Sequence, residues 1–179
     1  MKIQKINISI FIVSLLIALS AIAQSKNVYR TSLSFIPLAT STKQAGNGPE
    51  GSTIMSQFEF GVHKPFWGYG LVYQYDQHGD FQKDTGLGLK LEVNYKAMYL
   101  DLGYLVAVER VYDDRTYEKE TGDGYYIGLG GRVNFGKRYF FNLTYKHRVH
   151  KLKKQDDTAL SDPIIQTDSY PLLGVGVSF

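Results

Sequence analysis

Apolar and polar residues alternate one by one over most of the chain. Successive side chains of an extended strand point to opposite faces, so an alternation with a period of two predicts a β-strand. The pattern has no exception between Leu87 and Tyr95, where every odd position is apolar or aromatic and every even position is glycine or polar. Eight segments are predicted as strands: residues 28–39, 53–62, 67–75, 86–95, 98–109, 125–135, 139–150 and 170–179.

The connections between these segments alternate in length. Polar stretches dense in turn-forming residues are predicted as long loops at residues 40–52, 76–85, 113–123 and 151–169. Short turns are predicted at residues 63–65, 95–97 and 136–138. This rhythm predicts an all-β fold, an eight-stranded antiparallel up-and-down barrel with the long loops at one end. The last strand then pairs with the first, which removes both free edges of the sheet.

The two faces of the predicted sheet differ in composition, which bears on the face that lies inside. A soluble lipocalin-like barrel turns its apolar face inward around a ligand, whereas a transmembrane barrel turns that face outward to lipid. The polar face is rich in glycine, which weakens a solvated sheet but makes room for long side chains inside a narrow barrel. We therefore expect a polar lumen that side chains fill. The interior charges expected are Arg30, Glu59, Lys90, Glu92, Asp101, Glu109, Arg132, Lys146 and Arg148.

The start of the chain has the three parts of a secretory signal. Two lysines precede an apolar run at residues 8–19, and Ala-Ile-Ala at residues 21–23 forms a cleavage pattern. We expect residues 1–23 to be removed and residues 24–179 to form the exported barrel domain. That domain has 18 basic and 17 acidic residues, a balance that gives no reason to expect a nucleic-acid partner. The chain has no cysteine, which excludes a lipid-anchored lipoprotein and a disulfide.

The last segment alternates from Gly174 to Val177 and ends on the aromatic Phe179. Together with the signal, the eight alternating segments and the outer loops, it resembles the small bacterial outer-membrane β-barrels of the OmpA and OmpX kind. The resemblance implies export to the Gram-negative outer membrane, insertion by the barrel-assembly machinery, and surroundings of outer-membrane lipid. That class includes scaffolds, adhesins and enzymes, so the resemblance implies little about activity. We expect a non-enzymatic structural or surface-interaction role through four extracellular loops.

An enzyme that modifies lipid A is the main alternative. The outer-membrane lipid A deacylases are also eight-stranded barrels, and their nucleophilic Ser follows the catalytic His by two residues late in the chain. Here Val149 follows His147 at that spacing and has no hydroxyl with which to form an acyl-enzyme. No catalytic residue is therefore predicted. A soluble periplasmic lipocalin-like ligand binder is the third possibility.

No cofactor or metal site is predicted from the remaining polar residues. His147 and His150 are three apart on a predicted strand and point to opposite faces, so they cannot clasp one metal ion. The four aspartates of the last predicted loop have a spacing that fits no calcium-binding loop. Lys151, Lys153 and Lys154 are expected near the outer leaflet, where they could contact the phosphates of lipopolysaccharide. The sequence identifies no extracellular partner.

Overall fold

Nine β-strands account for nearly all the residues that the computed structural model describes, which are 28–36, 40–41, 52–79, 82–112 and 119–179. The predicted signal peptide, most of the predicted loop at residues 40–52 and residues 113–118 of another lie outside the described residues. Within the described ranges, no helix is long and apolar enough to cross a membrane. The strands are β1 Val28–Phe35, β2 Thr40–Ser41, β3 Ser52–His63, β4 Trp67–His78, β5 Gln82–Tyr95, β6 Met98–Tyr112, β7 Lys119–Phe135, β8 Tyr139–Gln155 and β9 Thr158–Ser178.

These strands form one closed antiparallel sheet. From β3 to β9 each strand pairs with its neighbour in the sequence, and β1 closes the ring. On one side β1 pairs with β3, with Val28 opposite His63, and on the other it pairs with β9, with Arg30 opposite Ser178. The two-residue β2 pairs with β3, so eight long strands make the barrel. The predicted fold class and the predicted pairing of the first and last strands are confirmed.

The three predicted short turns are present and lie together at one end of the barrel. They occupy residues 64–66, 96–97 and 136–138, and this end is called the turn end below. Gly136 has a φ of 64°, a backbone conformation that glycine adopts without steric cost. Lys96 has a φ of 56° in the turn between β5 and β6. Tight turns hold both flanking strands in register, so the interior side chains at this end are firmly positioned.

The structure corrects the long loop predicted at residues 151–169. β8 continues to Gln155 and β9 begins at Thr158, so a two-residue turn joins them. Asp156 and Asp157 have φ values of 46° and 67°, and two positive values in succession are what a type I′ hairpin turn requires. Aspartate tolerates this conformation better than most residues, so a polar and charged segment still forms a hairpin. The end of the barrel that carries it is called the hairpin end.

An irregularity in this hairpin takes up four residues of β9. Leu152 lies opposite Ile164 and Lys154 lies opposite Ala159, so residues 160–163 have no partner in the register. Pro163 is among them, in a place where its missing N–H removes no hydrogen bond of the ladder. The irregular composition of this stretch is therefore compatible with a strand on both sides of it.

The other predicted long loops are also shortened by longer strands. β4 continues to His78 and β5 already begins at Gln82, while β7 begins at Lys119 rather than at Tyr125. Strands β5 to β9 have 14 to 21 residues, whereas about 9 to 11 residues suffice to cross a membrane. The sheet therefore continues beyond the length of a membrane crossing at the hairpin end.

A β-bulge interrupts the alternation of inward and outward side chains in β6, so that residues beyond the bulge, towards the hairpin end, point to the opposite face from the one that the sequence pattern predicts. The register with β7 shifts by one residue between Leu105 and Val108, so that both of these side chains are buried although they are three positions apart. Beyond the bulge, Arg110 is buried and Glu109 is not, with 44% of its side chain exposed beside Lys119. The prediction of Glu109 as an interior charge is therefore wrong. That prediction assumed that side chains alternate between the two faces along the whole of β6, whereas the bulge interrupts the alternation.

Away from the bulge the apolar positions face outward and the polar positions face inward. Leu129 and Leu143 are 56% and 55% exposed on the outer surface, whereas Glu92 and Lys146 are 0% and 1% exposed inside the ring. Apolar side chains also occur inside, between the charged ones. They form two buried clusters: Val72, Leu105, Val108, Tyr126 and Leu152, and Met55, Tyr170 and Leu172.

Candidate functional site

The polar interior of the barrel contains most of the charged groups that the sequence singled out. Towards the turn end, Lys90 Nζ lies 2.5 Å from Glu59, 3.3 Å from Glu92 and 3.7 Å from Asp101. Lys146 Nζ lies 2.6 Å from Asp101 and 3.4 Å from Glu59. Each lysine thus contacts several carboxylates, as an ammonium group removed from water requires.

Glu92 is the most crowded carboxylate of this group. The guanidinium of Arg132 donates two hydrogen bonds to it, both 2.9 Å long. His63 Nδ1 lies 3.2 Å away, and the Arg30 guanidinium approaches only to 4.0 Å. Arg132 also stacks over the ring of Tyr99, 4.6 Å from its centroid. One buried acid is therefore shared among several basic groups, and they do not share it equally.

A second group of charges lies towards the hairpin end. Arg110 donates two hydrogen bonds of 2.9 Å to the two carboxylate oxygens of Asp84, and its third nitrogen lies 3.6 Å from Glu120. All three side chains are at least nine-tenths buried. The bulge in β6 places Arg110 here, since without the extra residue Glu109 would face the same acids.

Arg148 connects the two groups of charges. It lies 2.5 Å from Asp76, and it donates a 3.0 Å hydrogen bond to Asp168 and a 3.3 Å hydrogen bond to Gln74. Gln74 in turn donates a 3.0 Å bond to Gln57, which donates to Glu59. Gln166 donates a 3.0 Å hydrogen bond to Asp168 and accepts one from Arg110, so one continuous polar network crosses the interior. Among the described residues, no cluster of three or more His, Asp or Glu is arranged to hold a metal ion.

Eight of the nine interior charges expected from the sequence lie in this network, and Glu109 is the exception. Several further interior groups were not predicted, because most of them lie beyond the ends of the predicted strands. Residues two apart on a strand point to the same face, so Asp76 points inward like Gln74, and Asp84 points inward like Gly86. Longer predicted strands would have included both aspartates. Arg110 lies beyond the bulge, and no local signal marks it. The other interior groups missed are Glu120, Asp168, His63, His78 and His150.

A histidine and a serine meet on the outer face of the barrel. His147 on β8 lies directly opposite Ser169 on β9, and its Nδ1 is 2.8 Å from the serine Oγ. Both side chains are exposed. Val149, at the spacing of a nucleophile along β8, has no hydroxyl, but the antiparallel pairing brings one from the neighbouring strand.

The three lysines expected to contact lipopolysaccharide lie on the extended part of β8. Lys151, Lys153 and Lys154 are all exposed. Lys153 is bound to Asp123 on β7, and its hydrogen bond lowers the pKa of the Asp123 carboxyl below the ordinary value. Tyr104 donates a further 3.1 Å hydrogen bond to the same carboxylate. Lys154 forms no ion pair with a carboxylate in the described part of the chain, and Lys151 lies opposite Asp123 and helps to lower its pKa.

One comparison with a solved structure supports this architecture. No protein-family model and no curated protein matches the sequence. The crystal structure of Neisserial surface protein A (NspA) matches with a TM-score of 0.58 and 12% identity, over 85% of this chain and 97% of that chain. The solid-state NMR structure of outer membrane protein AlkL in DMPC lipid bilayers has a TM-score of 0.36 and 9% identity, over 86% and 88% of the two chains. The resemblance to small eight-stranded outer-membrane β-barrels is confirmed for the fold.

Proposed function

We propose that this chain is an integral outer-membrane β-barrel without enzymatic activity, with a structural or surface-interaction role through the segments at its hairpin end. The observation that carries the proposal is the inverted distribution of side chains, apolar outside and charged inside. A soluble lipocalin-like barrel needs the opposite arrangement, with its apolar face around a ligand. NspA, which has the same fold, is named as a surface protein.

The outer surface is suited to lipid rather than to water. Burial of a leucine is worth about 1.5 to 3 kcal/mol, so a belt of leucines on all sides would be a large cost in water. The belt runs along β5 as Leu87, Leu89, Leu91 and Val93, all of them exposed. Lipid removes this cost, and a closed ring leaves no unpaired backbone groups in the hydrocarbon.

Aromatic side chains border this apolar belt at both ends. On β8, Tyr139 lies beside the turn end and Tyr145 lies six residues further along, and both are exposed. Tyr125 on β7 and Tyr104 on β6 lie opposite each other towards the hairpin end, and both are exposed. Aromatic residues concentrate at the two interfaces of a bilayer, where ring and hydroxyl meet apolar and polar surroundings.

The lumen we propose is filled rather than an open pore. Eight strands enclose a space that side chains just occupy. Arg148, Lys146 and Tyr126 are among the largest fully buried side chains, and they come from neighbouring strands into the same interior. Moving them aside would separate charges from their partners, so we expect no stepwise conductance in planar lipid bilayers.

Fractionation and electrophoresis test the location. We expect the protein in outer-membrane fractions, and we expect a heat-dependent change of its migration in detergent gels. Release with the soluble periplasmic proteins would overturn the membrane proposal. Steady single-channel conductance would overturn the filled lumen while leaving the location intact.

A second candidate function is a lipid-modifying enzyme, and the contact between His147 and Ser169 favours it. A hydroxyl hydrogen-bonded to an imidazole is the minimal arrangement for a nucleophile with its general base. No carboxylate contacts the other ring nitrogen in the described part of the chain, which leaves the pair without the third group of a triad. Mass spectra of lipid A from cells that produce the wild type, Ser169→Ala or His147→Ala test whether the protein modifies lipid A. An altered acyl pattern that needs both side chains would establish the enzyme.

A further inference from the structure

A cavity of about 500 Å³ opens at the turn end of the barrel. Its size is within the range of small-molecule sites, roughly 300 to 1,000 Å³. The walls come from β1, the turn-end parts of β3, β5, β6 and β7, and two of the tight turns. They are formed by Val28, Arg30, His63, Lys64, Pro65, Asn94, Lys96, Ala97, Met98, Arg132 and Asn134.

The charges around this cavity are of one sign. Four of its lining residues are arginines or lysines and none is an aspartate or glutamate. Glu92, which lies beneath the arginines, is fully buried and does not line the cavity. A concave site with cationic walls concentrates anions.

Of the two arginines, Arg30 has the weaker contacts. Glu92 is held by two 2.9 Å hydrogen bonds from Arg132 and lies 3.2 Å from His63 and 3.3 Å from Lys90. Arg30 reaches the same carboxylate only at 4.0 Å, and its hydrogen-bond contact is with His63 Nδ1 at 3.5 Å. A guanidinium has five N–H donors, so most of the donors of Arg30 remain for another acceptor.

Three buried polar atoms beside the cavity have no hydrogen-bond partner among the described residues. They are Arg30 Nε, Arg132 Nε and Asn94 Nδ2. All three are donors that are hidden from solvent, so donors outnumber acceptors around the cavity. An excess of donors over acceptors favours a ligand that supplies several acceptor oxygens at once.

Two lysines of the turns extend the positive surface to the rim of the cavity. Lys64 rests on the ring of Trp67, with its Nζ 4.8 Å from the centroid, and Lys96 rests on Tyr95 at 5.4 Å. Neither has a carboxylate partner in the described part of the chain. An ammonium group on an aromatic ring at the surface is weakly held, so both lysines can turn towards an anion.

We propose that this cavity binds an oxyanion, a carboxylate or a phosphate, carried by a small organic group. Arg30, Arg132 and Asn94 donate hydrogen bonds to the oxygens of the anion, since the planar guanidinium group matches carboxylates and phosphates. The apolar side chains of Val28 and Met98 contact the organic part. This binding site is independent of the proposed surface role and of any activity at His147.

The test is a titration of the purified full-length barrel in a non-ionic detergent at low salt. Inorganic phosphate, glycerol 3-phosphate and N-acetylalanine are added separately, and the arginine Nε–H and asparagine side-chain signals are followed by NMR. We expect saturable shifts of the Arg132 and Asn94 signals. If glycerol 3-phosphate binds more tightly than N-acetylalanine, the natural ligand carries a phosphate. The opposite order of affinity indicates a carboxylate.

Three variants separate this site from general surface charge. Arg30→Gln should weaken binding at least tenfold, and the double variant Lys64→Gln with Lys96→Gln should weaken it threefold or more. The matched control is Lys137→Gln with Arg138→Gln, which removes the same charge from the third turn without touching the cavity and should change binding less than twofold. If Arg30→Gln does not fold, the two double variants still decide the question. No saturable shift with any probe, or equal weakening by the control, would overturn the proposal.

Discussion

Arg132 and Glu92 form a bidentate ion pair across the interior of the barrel, with two hydrogen bonds of 2.9 Å and the carboxylate entirely removed from solvent. The arginine comes from β7 and the glutamate from β5, so the pair ties together two strands that are not neighbours in the sheet. The crowding around Glu92 determines how the other interior cations are placed.

Replacing Arg132 by Leu should destabilise the barrel by about 3 kcal/mol, because it leaves Glu92 without its strongest partner in a site that water does not reach. Urea unfolding in lipid vesicles, followed by the fluorescence of the single tryptophan, Trp67, measures the change. Arg138→Leu in the exposed turn is the control and should have little effect. An unchanged midpoint for Arg132→Leu would mean that the polar face is solvated and that the apolar face is inside.

Because of the bulge in β6, the adjacent residues Glu109 and Arg110 should contribute unequally to the stability of the barrel. Arg110→Leu leaves Asp84 and Glu120 buried without their shared cation and should cost about 3 kcal/mol. Glu109→Leu removes an ion pair with Lys119 that is partly exposed, and it should cost less than about 1 kcal/mol. Unfolding midpoints of the two variants under the same conditions compare the costs directly. The reverse order would show that the period of two continues through this strand without a bulge.

Gly103 provides room for the ring of Tyr126. A methyl group at Gly103 would overlap that ring, which is fully buried and has no space to withdraw. Gly103→Ala should therefore lower stability by about 1 to 3 kcal/mol. At Gly131 the nearest atom to a new methyl group is a carbonyl oxygen 3.9 Å away, so Gly131→Ala is the matched control and should be close to neutral. Equal effects at both glycines would contradict a tightly filled interior.

The hairpin of β8 and β9 should protect its backbone amides from hydrogen exchange. Residues 147–152 pair with residues 164–169, so we expect exchange that is slow compared with that of an unstructured loop. Asp157→Gly should keep this protection, since glycine adopts a positive φ freely, and Asp157→Val should weaken it. Exchange by mass spectrometry checks both variants. Fast exchange throughout the segment in the wild type would contradict the hairpin and support the long loop that the sequence predicted.

The sequence predicted most of the fold because its main signal is local. Alternation between Leu87 and Tyr95 depends on the geometry of a single strand, in which each residue points opposite to its neighbours. The tight turn at residues 136–138 is likewise marked by a glycine that its own backbone requires. These signals also indicated the faces correctly, since glycine and charge on one side and leucine on the other suit a closed barrel in lipid.

The tertiary structure decided what depends on contacts between strands. Arg110 is inside and Glu109 outside because of one extra residue in β6, and that residue is visible only in the pairing with β5 and β7. Ser169 meets His147 because β9 extends far enough to lie beside it. Local alternation therefore determines which residues share a face, whereas the register between strands determines which side chains meet. The donors around the turn-end cavity follow from that register, because the strands bring four basic groups to one carboxylate.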